Sequence, residues 1–410
     1  MRLWSRRPSG ANLFMLGTGQ LDAGFAALAG FIAGAVAVRY LTPDQLGVYS
    51  LLFLAFSVAT QLPTQLMFSP SEVTMAHLPV EERLGSLRWS LPRGLLVSGL
   101  ASVTVAAGAL PLAQDVDLAS VTPLLVTAVT FAFASPVQDH IRRVLHTADR
   151  SGQASTVSLT NLICTSLAVL ALLQVDPLWV PFGAMTIGNI VSSLMALFFV
   201  AGQRGSPSPK TRELFSMGRY LLVVGLANSG GGYLAGTLVG AIVGPAALGY
   251  VEAARLVARP AEVSATGVLA SVGPRLMVAS ARREPERVKK LSRTYNGTVI
   301  GVGVVYGLLV ATPLGWGITK SLFPTAYTVG GLVLVTLIAQ LVVSLTRPLQ
   351  ARLMGLRREV SLASVEIAAQ ACRLVASLSA FWIGSFALPV SDFVGNGFKL
   401  ARYREKLRDQ

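Results

Sequence analysis

The sequence predicts an all-α polytopic membrane protein, with about twelve transmembrane helices in two parallel-related six-helix bundles around a central cavity. Hydrophobic residues make up 52% of the chain and charged residues only 13%, whereas a soluble domain has about 25% charged residues. Apolar runs of about 18 residues or more recur along the chain, as membrane-spanning helices require. The two halves also resemble each other in sequence, which predicts two related bundles.

Twelve spans are predicted in order. The first is too long for the apolar core of a signal peptide, which has about 7–15 residues. The last is short and only weakly apolar. The predicted halves are residues 1–205 and 206–410, divided within the polar segment 204–213. The spans are 12–38, 46–68, 95–112, 118–135, 157–173 and 178–200 in the first half, and 215–243, 246–269, 297–318, 327–345, 360–382 and 388–401 in the second.

The distribution of basic residues predicts the topology. Lys and Arg concentrate in both termini and in the loops after even-numbered spans, whereas the loops after odd-numbered spans hold only Arg39 and Lys320. By the positive-inside rule, both termini are predicted to be cytoplasmic. A net charge of +14 placed in this way indicates membrane topology rather than binding to nucleic acid. The same distribution requires the twelfth span to cross the membrane, because the basic C-terminal tail would otherwise lie outside the cell.

A ten-residue motif occurs once in each half, directly after the first span of that half. The copies are LTPDQLGVYS (Leu41–Ser50) and VGPAALGYVE (Val243–Glu252), and their Pro and Gly residues are each 202 positions apart. Proline followed closely by glycine predicts a tight turn between two spans. Because each half has an even number of spans, the repeats are predicted to be parallel, with the substrate path between them. Later matches pair Pro136 with Pro348, Gln138 with Gln350, and Gly188-Asn189 with Gly395-Asn396.

Charged and amide side chains inside the spans are the candidate binding residues. A charge at the bilayer centre costs roughly 2.5–3.5 kcal/mol, so these side chains are predicted to face the bundle interior. The spacing in spans 8 and 11 places each set on one helical face. Their function is predicted to be a polar, partly cationic cavity for a charged or sugar-bearing substrate; the alternative is that neighbouring opposite charges pair and staple the spans together. The set is Glu252, Arg255, Arg259 and Glu262 in span 8, Glu366, Gln370 and Arg373 in span 11, and Gln20 with Asp22 in span 1.

Signatures of enzymes and metal sites are missing from the sequence. There is no phosphate-binding loop, no Gly-x-Ser-x-Gly and no His-Glu-x-x-His motif. We therefore predict no catalytic residue, no metal site and no cofactor. His77, His140 and His146 fall in segments predicted to be cytoplasmic loops, where surface positions are favoured over metal ligands.

The repeated motif and the helix that follows its second copy resemble the polysaccharide-biosynthesis flippase family. That family belongs to the superfamily that also holds multidrug exporters and lipid II flippases. The residues that carry the resemblance are LTPDQLGVYS and Gly244–Pro260 (GPAALGYVEAARLVARP). The resemblance implies a translocase in a bacterial-type cytoplasmic membrane that moves a lipid-linked oligosaccharide carried on undecaprenyl pyrophosphate. Its implied partners are a polysaccharide polymerase, glycosyltransferases and membrane lipids. The resemblance also implies a cationic cavity, which Arg255, Arg259 and Arg373 would match.

Two other functions stay open at this point. A multidrug or small-molecule exporter of the same superfamily would use a carboxylate in span 1 to carry the coupling ion, and Asp22 is the candidate. A membrane-embedded polysaccharide polymerase or glycosyltransferase is the second alternative. Such enzymes need sizeable outer loops with catalytic residues, whereas the predicted outer loops here are short.

Overall fold

The computed structural model describes residues 9–76, 78–108, 118–200, 208–322, 329, 331–356 and 358–408. Across these residues the chain is helical and contains no β-strand. The predicted all-α class is therefore confirmed. The predicted boundary between the halves, at residues 205 and 206, lies outside the described residues.

The first half contains six long helices. The second of them does not stop at Ala59 but continues through the short helix Gln61–Pro63, a π-helical turn at Thr64–Phe68 and the helix Ser69–Ala76. The short helix Val80–Arg83 then precedes the third. The six are α1 (Ser9–Tyr40), α2 (Pro43–Ala59), α3 (Leu87–Gly108), α4 (Leu118–Thr147), α5 (Ser151–Leu172) and α6 (Val180–Val200).

The second half repeats this arrangement. Its additional elements are the short helices Pro313–Leu322 and Ala380–Ile383. The six long helices are α7 (Thr211–Val243), α8 (Pro245–Ala281), α9 (Pro285–Ala311), α10 (Leu332–Gly355), α11 (Glu359–Ser377) and α12 (Ala387–Arg408).

Ten of the described helices are long and apolar enough to cross a membrane. The helices α8 and α12 are long but are not among the ten, because each carries several charges along its length. The twelfth helix has 22 residues, which makes it longer than the sequence predicted. The chain is a multi-pass membrane protein made of two helical bundles.

Several segments that the sequence assigned to loops are helical. The helix α4 continues from its apolar part to Thr147, and α8 continues to Ala281. For His140 and His146, the predicted loop was therefore wrong for both residues, and the predicted surface position was wrong for His140. His140 is buried within α4, and His146 bonds a carboxylate of α1. His77 lies outside the described residues.

The two bundles meet along α2 and α8. One apolar core runs across this contact and includes Leu46 and Tyr49 from α2 together with Leu248 and Val251 from α8. All four side chains are buried. Helix α2 also packs on α7, and α1 packs on α8, so these four helices form the boundary between the halves.

The repeated Pro-x-x-x-Gly motif forms a reciprocal contact at this boundary. A Cβ atom added to Gly47 would overlap the carbonyl of Pro245, and one added to Gly249 would overlap the carbonyl of Pro43. Each proline is the first residue of its helix, a position that proline favours because its missing N–H is not needed there. Each copy of the motif thus begins a helix and also receives the close approach of the other copy.

Candidate functional site

A cavity of about 480 Å³ opens into the first bundle at its boundary with the second. Helices α1, α2, α4, α5 and α6 supply most of its wall, and Arg259 of α8 reaches it from the second half. Three phenylalanines, Phe53, Phe56 and Phe131, form an apolar part of the wall, in which the rings of Phe56 and Phe131 stack 4.5 Å apart. The remaining wall is largely polar.

Helix α2 presents amides to the cavity where its regular helix ends. Gln61 and Gln65 both line the cavity, and the Gln65 amide nitrogen donates to the Gln61 side-chain oxygen at 3.2 Å. The π-helical turn at Thr64–Phe68 begins between them. Such turns are frequent at functional sites because they change which side chains share a face.

Helix α4 lines the cavity with a polar stripe. Ser135, Gln138, Asp139 and Arg142 all lie on the cavity wall, at a spacing of three, four and seven residues. This spacing keeps the four side chains on one face of the helix. Arg143 also contributes to the wall.

Arg259 is the cavity's charged group from the second half. Its guanidinium lies 3.4 Å from the carbonyl oxygen of Gly30 on α1. Among the described residues, no carboxylate lies within 4.0 Å of Arg259, and Glu262 pairs instead with Arg347 at 3.3 Å. Arg259 therefore brings to the cavity wall a positive charge that no described carboxylate pairs with.

Asp22 lies behind the α4 stripe in a buried cluster. Arg142 binds both carboxylate oxygens, through Nε at 3.1 Å and Nη2 at 2.7 Å. His146 lies 2.9 Å from Asp22, and Ser158 of α5 donates to the carboxylate at 2.5 Å. The cluster joins α1, α4 and α5, and Asp139 also accepts from Arg142 at 3.0 Å.

Glu72 and His140 form a second polar cluster beside the cavity. Nδ1 of His140 lies 3.1 Å from Glu72, and Nε2 lies 2.9 Å from the Ser90 hydroxyl. The imidazole stacks on the Phe68 ring at 4.3 Å, and Arg143 lies 3.7 Å from Glu72. Both ring nitrogens of this buried histidine are therefore used, which explains its position inside the bundle.

In the second half, Asp392 of α12 forms ion pairs with two of the predicted binding arginines. Arg373 pairs directly with Asp392, and Arg255 donates to it at 3.2 Å. Glu252 lies 3.8 Å from Arg255, so the alternative of neighbouring paired charges applies to these two residues. Gln370 is buried close to Gly231 of α7. Asp392 was not predicted as a site residue because it lies in the weakly apolar last span.

Glu366 is the centre of a further buried cluster. It is 1% exposed and pairs with Lys399 at 2.6 Å. The Tyr403 hydroxyl donates to it at 2.6 Å, and the Gln350 amide donates at 2.7 Å. Lys399 reaches Asn228 of α7 as well, at 3.2 Å. The cluster ties together four helices of the second bundle.

The predicted site residues thus divide into different environments. Arg259 lines the cavity, whereas Asp22 lies off the cavity wall and bonds the wall residue Arg142. Arg255, Arg373 and Glu366 form ion pairs within the second bundle, and the side chain of Gln20 lies outside the described residues. Arg142 and Arg143 were missed as cavity residues, although their three- and four-residue spacing to Asp139 was a signal of a continued helix.

Solved structures of membrane transporters and of a lipid flippase share this fold. An inward-facing multidrug resistance MATE transporter of the MOP superfamily matches with a TM-score of 0.72 at 12% identity, over 94% of this chain and 95% of that one. A MOP superfamily transporter from Pyrococcus furiosus matches with a TM-score of 0.66 at 12% identity, over 98% and 99%. The lipid II flippase MurJ, in an inward closed conformation, matches with a TM-score of 0.66 at 11% identity, over 95% and 87%.

The sequence itself identifies the family. No curated protein sequence matches the chain significantly. The family model described as polysaccharide biosynthesis protein matches residues 36–306, which is well over half of the chain. This match covers both copies of the repeated motif, the α4 stripe and Arg259. The chain belongs to the polysaccharide biosynthesis protein family.

Proposed function

We propose that the protein is an alternating-access translocase that moves a polyprenyl-diphosphate-linked oligosaccharide across the cytoplasmic membrane for polysaccharide biosynthesis. The observation that carries the proposal is Arg259, a guanidinium on the wall of a polar cavity with no described carboxylate within 4.0 Å. An uncompensated charge inside a membrane protein favours a ligand of the opposite charge. A planar guanidinium can bind two oxygens of a phosphate group at once.

The other cavity residues fit the two parts of such a substrate. The diphosphate would lie against Arg259, with Arg142 and Arg143 nearby on the wall. The sugars would lie against amides and hydroxyls, and the aromatic rings of Phe56 and Phe131 offer flat apolar faces to them. Arg255 and Arg373, which are paired with Asp392, would support the second bundle rather than bind the diphosphate directly. We place both termini at the cytoplasmic face, as the distribution of basic residues predicts.

The proposal predicts a strong dependence of transport on Arg259. Hydrogen bonds to charged groups contribute about 1.5–3 kcal/mol, so Arg259→Ala is expected to slow transport by about tenfold or more. Arg259→Lys would keep the charge but lose the two-oxygen contact. Its transport rate should lie between those of the wild type and Arg259→Ala. The measurement uses purified protein in vesicles with a polyprenyl-diphosphate-linked oligosaccharide whose fluorescent label is quenched from one side.

The matched control is Arg293→Ala, because Arg293 is exposed on α9 and lies away from the cavity wall. It should transport at the wild-type rate. A folded Arg259→Ala protein with wild-type transport would overturn the proposal.

A multidrug or small-molecule exporter is the second candidate function. The three phenylalanines on the wall and Asp22 beside it favour this candidate. Protonation of Asp22 would, however, remove its charge and leave Arg142 with Asp139 as its paired carboxylate among the described residues, which argues against Asp22 as a proton carrier. The same vesicles distinguish the two functions: an exporter would move a lipophilic cation along an imposed ion gradient and leave the lipid-linked sugar in place.

A further inference from the structure

Gln138 of α4 is a buried amide that faces the cavity. Its side chain is on the cavity wall, and the residue is 4% exposed. Neither the side-chain oxygen nor the side-chain nitrogen of Gln138 bonds to a described residue, although other buried amides nearby are paired. Because the residue lines the cavity, the hydrogen bonds of Gln138 are made to the contents of the cavity, whether water or a ligand.

A pair of asparagines adds to this neutral part of the wall. Asn161 of α5 donates to the side-chain oxygen of Asn189 of α6 at 2.5 Å, and both residues line the cavity. The close approach of α5 and α6 holds this pair, because a Cβ on Gly188 would overlap the Thr165 hydroxyl. We call Gln138, Asn161 and Asn189 the amide patch. Its groups are uncharged, and each amide can both donate and accept.

The repeat shows that Gln138 is used differently from its counterpart in the second half. Gln350, the counterpart of Gln138, donates to Glu366 at 2.7 Å. Asn396, the counterpart of Asn189, donates to the backbone carbonyl of Asp392 at 2.8 Å. In the second bundle both amides are therefore used inside the protein. In the first bundle Gln138 is left available to a ligand.

We infer that Gln138 determines which lipid-linked sugar is bound, by bonding a hydroxyl or acylamino group of the sugar next to the diphosphate. This inference rests on the proposed function. Gln138 lies one helical turn before Arg142, so the α4 stripe places a sugar-binding amide beside the arginines. A site built to bond a polar group discriminates against a ligand that lacks it, since its own buried groups are then left unpaired. The preferred cargo therefore carries, at this position, a sugar with a hydroxyl or acylamino group that Gln138 can bond.

The test compares two lipids on the full-length protein in nanodiscs. One is a polyprenyl diphosphate linked to an oligosaccharide, and the other is the polyprenyl diphosphate alone. Gln138→Met, which keeps the side-chain length, is expected to weaken binding of the sugar-bearing lipid by about tenfold and to leave binding of the bare lipid unchanged. Gln174→Met, at an exposed position outside the cavity, should change neither affinity.

The outcomes separate this inference from the proposed function. If the wild type binds both lipids and Gln138→Met binds them as the wild type does, or weakens both equally, the inference is wrong and the proposed function stands. If the wild type binds neither lipid, both are wrong. Should Gln138→Met fail to fold, Gln138→Ala provides the same comparison of two affinities.

Discussion

Gly47→Val and Gly249→Val are each expected to keep α2 and α8 from closing on one another and to lower transport by about 5- to 150-fold. The added side chain would overlap the carbonyl of Pro245 in the first variant and of Pro43 in the second. Overpacking of this kind costs about 1–3 kcal/mol. A change of that size shifts the balance between states with α2 and α8 in contact and apart by about 5- to 150-fold. A transport cycle that must pass through the state in which α2 and α8 are in contact slows in proportion.

The conformational effect can be measured at the contact itself. Leu46 and Leu248 are fully buried at the ends of α2 and α8 that the basic residues predict to be extracytoplasmic. A cysteine at either position, in a chain whose Cys164 and Cys372 are replaced, should resist a membrane-impermeant thiol reagent. In the Gly47→Val background the same cysteine should react readily.

Gly301→Val provides the matched control for both measurements. It makes the same change within helix α9, where a Cβ would meet no atom within 4 Å. Transport and labelling should remain at the wild-type level. Equal losses in Gly301→Val and Gly47→Val would show that helix propensity, and not the reciprocal contact, causes the effect.

The sequence was sufficient to predict the helices because long apolar runs have few alternatives in a membrane. The repeat also identified the Pro-x-x-x-Gly motif, although only as a turn. Its second role requires knowing that α2 and α8 meet, which is a contact over about 200 residues of chain. No local pattern contains that information.

The charged part of α4 shows why the site could be predicted only in part. Arg142 and His146 looked like loop residues because a charge in a span is costly when it is considered alone. Asp22 of α1 offsets that cost by bonding both residues, and Ser158 of α5 donates to the same carboxylate. In the same way, Asp392 compensates Arg255 and Arg373, which left Arg259 as the predicted arginine that reaches the cavity.

Glu366→Leu is expected to destabilise the second bundle by about 3–5 kcal/mol, the usual cost of leaving a buried charge without its partner. The substitution would leave the Lys399 ammonium, in a residue 4% exposed, with the Asn228 side-chain oxygen at 3.2 Å. Tyr403 and Gln350 would lose their acceptor at the same time. Denaturant unfolding in detergent measures the loss.

Removing both charges should reverse most of that loss. Replacing a buried pair with apolar side chains of similar volume is often neutral, so Glu366→Leu with Lys399→Met should recover a large part of the stability. The exposed pair of Arg402 and Glu405 has the same 2.6 Å separation, and Glu405→Leu is expected to cost less than about 1 kcal/mol. The comparison isolates burial as the cause.

Transport by the double variant then separates the two roles of Glu366. If Glu366 only holds the bundle together, the double variant should transport as well as its recovered stability allows. If Glu366 binds the substrate, as its position in span 11 suggested, transport stays low in a stable protein. Because Glu366 is 1% exposed and has three partners within the bundle, we expect transport to return with stability.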